Sequence, residues 1–344
     1  MTEQPGAAAQ GPLRAAVLGT GAWGTTFAMV LADAGCDVAM WGRSPEVCDQ
    51  ITTAHRNSRN LAGIELPATI SASTDAAAVL EGRELVAIAV PSQSARTTLA
   101  GLRDAWPAGA TAVSLMKGVE LGTDERMSQV IAESLGIPED HVVVVSGPNL
   151  AREIAEHQPT ATVVAGTDPE RVARVAVACS NPYFRPYTNT DVVGVELCGA
   201  VKNVIAIAVG IAQGRGFGLN TTATIITRGL VEITRLGRAL GAEAETFGGL
   251  AGLGDLMATC ASPLSRNHTL GRHIGQGLDL REATAATGGT AEGVKSATSV
   301  LELAARHGVE MPITAAVVGV LHEGLPVADM ATMLLARPKK AERT

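Results

Sequence analysis

The strongest constraint on the fold of this chain is a change in sequence pattern near residue 190. Before it, short runs rich in valine, alanine and isoleucine alternate with stretches of helical periodicity. Candidate strands lie at 14–18, 37–41, 85–90, 111–115, 142–145 and 161–165. Nearly continuous aliphatic strands between helices are typical of a parallel sheet that is covered on both faces. After residue 190 the strand pattern is absent, and helices are predicted at 192–211, 221–240, 293–307, 315–323 and in a stretch that follows Asp255.

The pattern predicts two domains. An α/β domain with a doubly wound sheet is expected at 13–189, and an all-helical domain is expected at 190–336. Residues 1–12 are polar and rich in glycine and alanine, which indicates a disordered leader, and 337–344 are expected to form a flexible tail. A chain of 344 residues is long enough to build two hydrophobic cores.

Composition excludes several classes of function. The net charge is −7 and the basic cluster Lys339-Lys340 is short, so a nucleic-acid partner is not expected. The five cysteines are scattered and lack Cys-x-x-Cys spacing, which indicates reduced thiols and a cytoplasmic protein, and the histidines show no metal-ligand pattern. The apolar run 201–211 is about half as long as a membrane span, so no integral membrane segment is expected. The oligomeric state is not readable; a homodimer is compatible with the sequence.

Lys202 lies inside the apolar run 196–211, which is too apolar for a surface helix. An ammonium there must be paired, functional or forced to lose its proton, because burying an isolated charge is very costly. Only five of the 27 basic residues are lysine, so a lysine at this position suggests a need for a titratable amine. The alternative is a lysine whose head group reaches solvent from a partly buried helix.

A glycine-rich turn, Gly19-Thr-Gly-Ala-Trp-Gly24, joins the first predicted strand to the first helix. Gly19 permits a tight turn, Gly21 allows backbone to approach a pyrophosphate, and Gly24 allows the helix to pack on the strand. The helix N-terminus beginning at Ala22 offers free N–H groups to an anion. This favours dinucleotide binding in a Rossmann-type domain over a glycine-rich turn without a ligand.

Arg43 follows the second predicted strand, where an NAD-specific site usually carries an acidic residue for the ribose 2′-hydroxyl. An arginine instead favours a 2′-phosphate, so NADPH/NADP+ is expected to be used at least as well as NADH/NAD+. The alternative is a solvated surface arginine.

Two polar segments follow later strands, at the edge where open α/β sheets bind ligands. Lys117 comes after the strand at 111–115, and Ser146-Gly-Pro-Asn149 comes after the strand at 142–145. Lys117 is either a ligand contact or a loop charge, and Gly147-Pro148 is either part of a site or a simple turn.

The helical half carries a third group of polar residues. Asp255 follows the glycine-rich run 248–254 and would by itself be interpreted as a helix N-cap. Ser265, Arg266 and Asn267 combine a hydroxyl, a guanidinium and an amide, as in a phosphate clamp, although by themselves they slightly favour a capped surface helix that bears an ordinary arginine. Glu292 is either a charge in the first turn of a helix or a cofactor contact.

Taken together, these segments closely resemble bacterial glycerol-3-phosphate dehydrogenases [NAD(P)+] and span roughly residues 14 to 325. The matching motifs are Val17-Leu-Gly-Thr-Gly-Ala-Trp-Gly-Thr-Thr26, Met116-Lys-Gly-Val-Glu120, Ser146-Gly-Pro-Asn149, 196–211, Gly214-Arg-Gly-Phe-Gly-Leu-Asn220, Gly252-Leu-Gly-Asp-Leu256 and Ser265-Arg-Asn267. Two positions depart from the family: Asn149 stands where serine or threonine is common, and Cys198 replaces a frequent glycine.

The resemblance implies a Rossmann-type domain followed by a helical domain like the C-terminal domain of 6-phosphogluconate dehydrogenase. It implies reversible reduction of dihydroxyacetone phosphate by NAD(P)H to sn-glycerol 3-phosphate, for phospholipid synthesis. Lys202 would be the proton donor-acceptor, with Asp255 and Lys117 beside it in the catalytic site. The implied substrate contacts are Lys117, Gly147, Asn149, Lys202, Asp255, Ser265, Arg266 and Asn267. The implied cofactor contacts are Gly19, Gly21, Ala22, Trp23, Gly24, Arg43, Lys117, Ala151, Arg266 and Glu292.

A lysine ammonium can stabilise and protonate the alkoxide that forms when hydride reaches a carbonyl. We expect burial and repulsion from Lys117 to lower the pKa of Lys202, and Asp255 to oppose them. Two other classes remain in view. A β-hydroxyacid dehydrogenase or ketopantoate reductase would share the two-domain plan, and a non-enzymatic dinucleotide sensor would share the glycine turn alone.

Overall fold

The computed structural model describes residues 12–288 and 291–330. The predicted leader, except for Pro12, and the predicted tail lie outside the described residues, as does the end of the predicted helical domain.

The first half of the chain folds around one eight-stranded sheet within the described residues. Its strands are β1 (Arg14–Leu18), β2 (Asp37–Trp41), β3 (Ser71–Ser73), β4 (Leu85–Ile88), β5 (Thr111–Ser114), β6 (Val142–Ser146), β7 (Thr160–Ala165) and β8 (Phe184–Asn189). The strand order is β3-β2-β1-β4-β5-β6-β7-β8. Helices cover the sheet: α1 (Ala22–Asp33), α2 (Pro45–Ala54), α3 (Ala76–Leu80), α4 (Ala95–Ala100), α5 (Met127–Leu135), α6 (Ala151–Ala155) and α7 (Pro169–Ala178).

The expectation of a purely parallel sheet is wrong at one pair of strands, because β6 and β7 are antiparallel. The segment between them contains only the five-residue helix α6. Such a helix is about 7.5 Å long, about half the height of β6, so it cannot carry the chain back across the sheet. The chain therefore enters β7 at the same end of the sheet at which it leaves β6. The other pairs are parallel.

In the second half of the chain, the secondary structure of the described residues is helical, as predicted. They are α8 (Val192–Gly214), α9 (Leu219–Ala239), α10 (Ala244–Gly248), α11 (Asp255–Ala261), α12 (Arg266–Gly275), α13 (Leu280–Ala286), α14 (Glu292–Arg306) and α15 (Pro312–His322). A short π-helical segment, Leu250–Gly254, leads directly into α11. The last strand ends at Asn189 and α8 begins three residues later, close to the boundary expected from the sequence.

Helix α8 is the centre of the helical half. It has 23 residues, its aliphatic side chains from Val195 to Ala212 are buried, and it packs against α9, α11, α12 and α14. The expectation that its apolar run is too short for a membrane span is wrong, because the helix is long and apolar enough by length and composition. Its most apolar window is 89% buried inside the protein, however, which is typical of a core helix.

The backbones of helices α8 and α12 are in direct contact. A Cβ atom at Gly210 would overlap the carbonyl oxygen of His268, and one at Gly271 would overlap the carbonyl oxygen of Ile207. Gly214 and Gly275 have equivalent contacts one turn later. Because these four positions lack side chains, the two helices are closely packed and the first turn of α12 is held beside the middle of α8.

Candidate active site

The glycine-rich turn between β1 and α1 has the backbone geometry expected of a phosphate-binding loop. Gly19 has φ +119°, and a Cβ there would lie 2.7 Å from the carbonyl oxygen of Ala89. A Cβ at Gly24 would overlap the carbonyl oxygen of Gly19, whereas Gly21 faces open space, with nothing within 4 Å. The fold therefore requires glycine at 19 and 24. At Gly21 the free approach to the N-terminus of α1 suits the pyrophosphate of a dinucleotide.

Residues of the first turn of α1 and of α6 lie beside this loop. Ala22 is the first residue of α1, which has no side-chain N-cap, so its terminal N–H groups are left for a ligand. Trp23 packs edge-on against Phe27, and its indole N–H is buried without a hydrogen-bond partner. The carbonyl of Ala151 accepts a hydrogen bond of 3.1 Å from Thr26 Oγ1, which ties α6 to α1.

Arg43 lies just beyond the carboxyl end of β2, as predicted, and its side chain is exposed. The neighbouring Gly42 packs against Thr20 of the glycine-rich turn, where a Cβ would lie 2.6 Å from its Cγ2. The residue before Arg43 therefore contacts the loop that would hold a dinucleotide. This position suits a contact between Arg43 and the ribose end of the cofactor.

A buried ion cluster joins the two halves of the chain. Lys202 Nζ donates hydrogen bonds to Asp255 Oδ1 at 2.5 Å and to Thr259 Oγ1 at 2.6 Å. Lys117 Nζ donates to the other carboxylate oxygen of Asp255 at 2.6 Å and to the carbonyl oxygen of Gly147 at 3.0 Å. One carboxylate thus holds two ammonium groups, one from each half of the protein. The structure brings these four predicted site residues together.

The surroundings of Lys202 change its acidity. The side chain is only 7% exposed, and burial lowers its pKa from the usual 10.5 to about 8. Asp255 raises the pKa and Lys117 lowers it, as expected from the sequence. The alternative in which Lys202 reaches solvent is therefore wrong, and Asp255 is not an N-cap, because its side chain accepts from the two lysines.

A chain of amide contacts links α8, α12 and α14. Asn203 Nδ2 donates to the carbonyl oxygen of Lys117 at 3.5 Å, and its Oδ1 accepts from Asn267 Nδ2 at 3.0 Å. Asn267 Oδ1 in turn accepts from the backbone N–H of Gly293 at 2.9 Å. Asn267 is thus buried, and both polar atoms of its side chain are hydrogen-bonded within the protein.

The other two members of the predicted clamp lie at the start of α12. Ser265 is the N-cap, and its Oγ accepts from the backbone N–H of His268 at 3.3 Å, so the capped-helix alternative holds for this residue. Arg266 is the first residue of the helix, and its side chain is exposed. An arginine beside a helix N-terminus is a suitable anion site.

Glu292 begins α14 and faces the same region of positive charge. Burial raises the pKa of its carboxyl group, while Arg266, Lys117 and Lys202 act in the opposite direction. The ammonium and guanidinium groups of the site are therefore close enough to influence this residue, so it is more than a charge in the first turn of a surface helix.

The segment after β6 closes the site from the sheet side. Gly147 has φ +151°, and its carbonyl oxygen accepts from Lys117. Asn149 Nδ2 donates to Thr162 Oγ1 at 3.0 Å, whereas its Oδ1 is buried without a partner. The Oγ of Ser146 is buried without a partner as well. Acceptors without a partner in the protein are suited to hydroxyl groups of a small polar ligand.

Sequence reasoning missed two residues of the cluster, Thr259 and Asn203. Thr259 is four residues after Asp255, so a helix that begins at Asp255 places both side chains on the same face. Asn203 directly follows Lys202 in the motif, but its partners lie 64 and 86 residues away. The first could have been found from helical spacing; the second required the structure.

Comparison with known proteins agrees with this geometry. Residues 14–172 match the family model for the N-terminus of NAD-dependent glycerol-3-phosphate dehydrogenase, and residues 191–332 match the model for its C-terminus. A glycerol-3-phosphate dehydrogenase [NAD(P)+] from Streptomyces griseus is 57% identical over 96% of this chain and 99% of its own length. One from Thermobifida fusca is 56% identical over 96% and 98%.

Solved structures show the same similarity. The crystal structure of a glycerol-3-phosphate dehydrogenase from Coxiella burnetii has a TM-score of 0.90 at 38% identity and covers 95% of this chain and 99% of its own. A ketopantoate reductase from Ralstonia eutropha has a TM-score of 0.60 at 18% identity, covering 93% of this chain and 100% of its own, and so shares the fold alone.

Proposed function

Because this chain belongs to the NAD-dependent glycerol-3-phosphate dehydrogenase family, we propose how its residues carry out the reaction of that family. The chain is an oxidoreductase that interconverts dihydroxyacetone phosphate and sn-glycerol 3-phosphate with NAD(P)H or NAD(P)+, and it serves glycerophospholipid synthesis. The observation that carries the residue assignments is the sharing of Asp255 by Lys117 and Lys202.

The cofactor site is proposed at the glycine-rich turn. Gly19, Gly21, Ala22 and Gly24 form a backbone cradle for the pyrophosphate, and Trp23, Ala151 and Arg43 flank it. Lys117, Arg266 and Glu292 complete the contacts from the side of the ion cluster. When bound, the dinucleotide supplies or accepts the hydride.

Lys202 is proposed as the proton donor for reduction and the acceptor for oxidation. With a pKa of about 8 it is largely protonated at neutral pH, yet much less basic than a free lysine. It can therefore stabilise the alkoxide that develops at C2 of the substrate and then transfer a proton to it. The rate of reduction should fall as the pH rises through about 8 and Lys202 loses its proton.

Asp255 and Lys117 are proposed to set the position and charge of Lys202. Asp255 fixes the ammonium from one side, and Thr259 accepts a further hydrogen bond from it, so one N–H remains for substrate. Lys117 adds positive charge at the same place, which favours a developing anion.

The phosphate of the substrate is proposed to bind at the N-terminus of α12. Arg266 supplies a guanidinium there, and Ser265 lies beside it. Asn267 supports the site by holding α12 to α8 and α14, and its backbone lies within the first turn. Gly147 and Asn149 are proposed to contact the other end of the substrate, since Asn149 Oδ1 has no partner within the protein.

Three further expectations remain proposals. We assign the domains to 13–189 and 190–336, in accord with the end of β8 at Asn189 and the start of α8 at Val192. We propose a cytoplasmic location, and burial of α8 within the protein supports its assignment as a core helix and not as an integral membrane segment. A homodimer is compatible with the fold.

The rival classes explain fewer observations. A ketopantoate reductase shares the fold, but a cationic helix N-terminus beside Ser265 suits a phosphate better than a carboxylate. A dinucleotide sensor has no need for a buried pair of lysines on one carboxylate.

The test is oxidation of NADPH by the purified protein with dihydroxyacetone phosphate, followed by cofactor absorbance, with Lys202→Ala alongside. We expect turnover by the wild type and a loss of at least about 1000-fold in kcat for the variant. NADPH affinity, measured by fluorescence titration, should remain within about two-fold. Equal loss of turnover and NADPH binding would mean that Lys202 is a structural residue. Wild type that binds NADPH but ignores this substrate would refute the substrate assignment.

A further inference from the structure

Glu196 is a buried carboxylate on α8 that the proposed reaction does not use. Its side chain is 4% exposed and it lies six residues before Lys202 on the same helix, about 9 Å away along the helix axis. It accepts three hydrogen bonds: from Arg126 Nη1 at 2.6 Å, from the backbone N–H of Ser128 at 2.7 Å, and from Ser128 Oγ at 2.6 Å. Both partners belong to the sheet half of the chain.

The partners of Glu196 lie at the N-terminus of α5. Arg126 is its N-cap and Ser128 is in its first turn, so the carboxylate occupies the positive end of the helix dipole as well as pairing with a guanidinium. This environment satisfies a buried charge that would otherwise be very unfavourable.

Arg126 is in turn connected to Lys117. It forms an isolated antiparallel bridge with Val119, which closes the loop between Val119 and α5. The backbone N–H of Glu120 donates to the carbonyl of Glu125 at 3.0 Å inside that loop. The base of the loop is thus two residues from Lys117. Because this short segment is hydrogen-bonded to Arg126, a shift of Arg126 would also shift Lys117.

One face of α8, from Glu196 to Asn203, packs against the segment that carries Lys117 and Arg126. Between them, Gly199 leaves room for the side chain of Lys117, whose Cγ would lie 3.3 Å from a Cβ at that position. Asn203 reaches the carbonyl of Lys117 at 3.5 Å. Positions 196, 199 and 203 have the i, i+3, i+7 spacing of one helix face. Glu196 and Asn203 therefore bind the segment 117–128 at the two ends of this face.

We propose that Glu196 is a positioning residue of the reaction: its carboxylate holds the catalytic helix α8 against the Lys117 segment, so that Lys117 and Lys202 meet on Asp255. This inference rests on the proposed roles of the two lysines. Glu196 touches neither substrate nor cofactor, and it acts through Arg126 and Ser128.

Loosening this contact should affect chemistry more than binding. Displacing a catalytic ammonium by about 1 Å can lower a rate about 100-fold, whereas most of the proposed dinucleotide contacts lie on the glycine-rich turn, away from the Lys117 segment. In Glu196→Gln the amide keeps an acceptor for the Ser128 N–H but loses the ion pair with Arg126. We expect kcat to fall about 10- to 100-fold, with a smaller loss of NADPH affinity, because Lys117 is only one of several proposed cofactor contacts.

The pH profile gives a readout that simple destabilisation does not change. The charged groups coupled to Lys202 are Asp255 and Lys117, which shift its pKa, and Cys260 and Glu292, whose own pKa values it lowers. Of these, only Lys117 is attached to the Glu196 contact, and it lowers the pKa of Lys202. If Lys117 moves away, the pKa of Lys202 rises, and the decline in the reduction rate shifts to higher pH.

Glu232 provides the matched control. It is also a buried carboxylate, and it accepts from the backbone N–H of Ile313 at 2.7 Å at the N-terminus of α15, so this contact joins two helices of the helical half. Glu232→Gln should lower the thermal midpoint comparably while leaving kcat and the pH profile as in the wild type.

The experiment measures kcat, KM, NADPH affinity and the pH profile for wild type, Glu196→Gln, Ser128→Ala and Glu232→Gln. Ser128→Ala removes one of three donors and should give a smaller change in the same direction as Glu196→Gln, which keeps the test valid if the latter folds poorly. Unchanged kcat and pH profile in both variants would overturn the proposal, as would an equal loss in Glu232→Gln. Absence of wild-type turnover would instead refute the proposed function.

Discussion

The two parts of the active site are built in different ways. The glycine-rich turn is one short segment whose shape comes from backbone, since Gly19 and Gly24 are required by close backbone contacts. The ion cluster is built from side chains at Lys117, Lys202 and Asp255, which are separated by 53 to 138 residues. A backbone site is readable from a local motif, whereas a side-chain cluster depends on the packing of distant elements. Substitutions should therefore affect the two parts in separable ways.

Asp255→Ala should have the largest effect that distinguishes the two parts. It leaves two buried ammonium groups without a counter-ion, and losing the carboxylate removes the influence that raises the pKa of Lys202. A larger fraction of Lys202 would then be unprotonated at neutral pH and its amine would lose the carboxylate that orients it, so kcat for reduction should fall about 1000-fold. The decline in rate should also shift to lower pH, which a full pH profile would reveal.

NADPH titration of the same Asp255 variant is the control, because the glycine-rich turn contains none of the removed contacts. A normal kcat at neutral pH would contradict the role of the cluster, and loss of NADPH binding would contradict the separation of the two parts.

Arg266→Ala tests the substrate end of the helical half. It should raise KM for dihydroxyacetone phosphate by an amount equivalent to about 2–4 kcal/mol, because a charge-assisted contact with the phosphate is lost. Steady-state kinetics with an unphosphorylated analogue provide the comparison. If the analogue is affected equally, Arg266 does not bind the phosphate.

Gly24→Ala and Gly21→Ala form a matched pair in the sheet half. The methyl group at residue 24 would overlap the carbonyl of Gly19, so this variant should lose thermal stability and bind NADPH about 10- to 100-fold more weakly. At residue 21 the methyl group meets nothing within 4 Å, so the fold should be retained. A loss of NADPH affinity in Gly21→Ala would therefore result from a clash between the methyl group and the bound cofactor. Thermal unfolding and NADPH titration separate the two cases, and equal unfolding of both variants would show that Gly21 has a structural role.

Arg43→Ala should have the smallest effect. The side chain is exposed, so removing it should leave stability unchanged and weaken NADPH relative to NADH by about ten-fold, as expected for one charge-assisted contact in partly solvated surroundings. The ratio of kcat/KM for the two cofactors measures this. An unchanged ratio would make Arg43 a solvated surface residue.

The sequence predicted much of the fold because its strands are strongly patterned. The bounds predicted for β1 and β2 are those observed, and the change to helices near residue 190 is confirmed. Strands β3 and β8 were missed because Ser71-Ala-Ser73 is short and polar, and Phe184-Arg-Pro-Tyr-Thr-Asn189 contains a proline and alternates weakly. The antiparallel pairing of β7 depends on the length of α6, which periodicity does not reveal.

The site was predictable to a lesser extent, and for a physical reason. Lys202 could be singled out because a charge in an apolar run requires an explanation, and the lowered pKa follows from its burial. Glu196 carries the same signal, a charge at the start of that run, but its partners Arg126 and Ser128 are ordinary surface-type residues in the sequence. Only their position in the fold identifies them.

The glycine contacts between α8 and α12 have a consequence for which substrates fit. Lys202 is carried by one helix and Arg266 by the other, and the separation of these helices is set by backbone-to-backbone contact at Gly210 and Gly271. With the proposed roles, the spacing of the two helices sets the distance between the groups that bind the carbonyl carbon and the phosphate of the substrate. Selection for substrate length then depends on the helix contact at Gly210 and Gly271. A side chain at either glycine would increase the distance between Lys202 and Arg266.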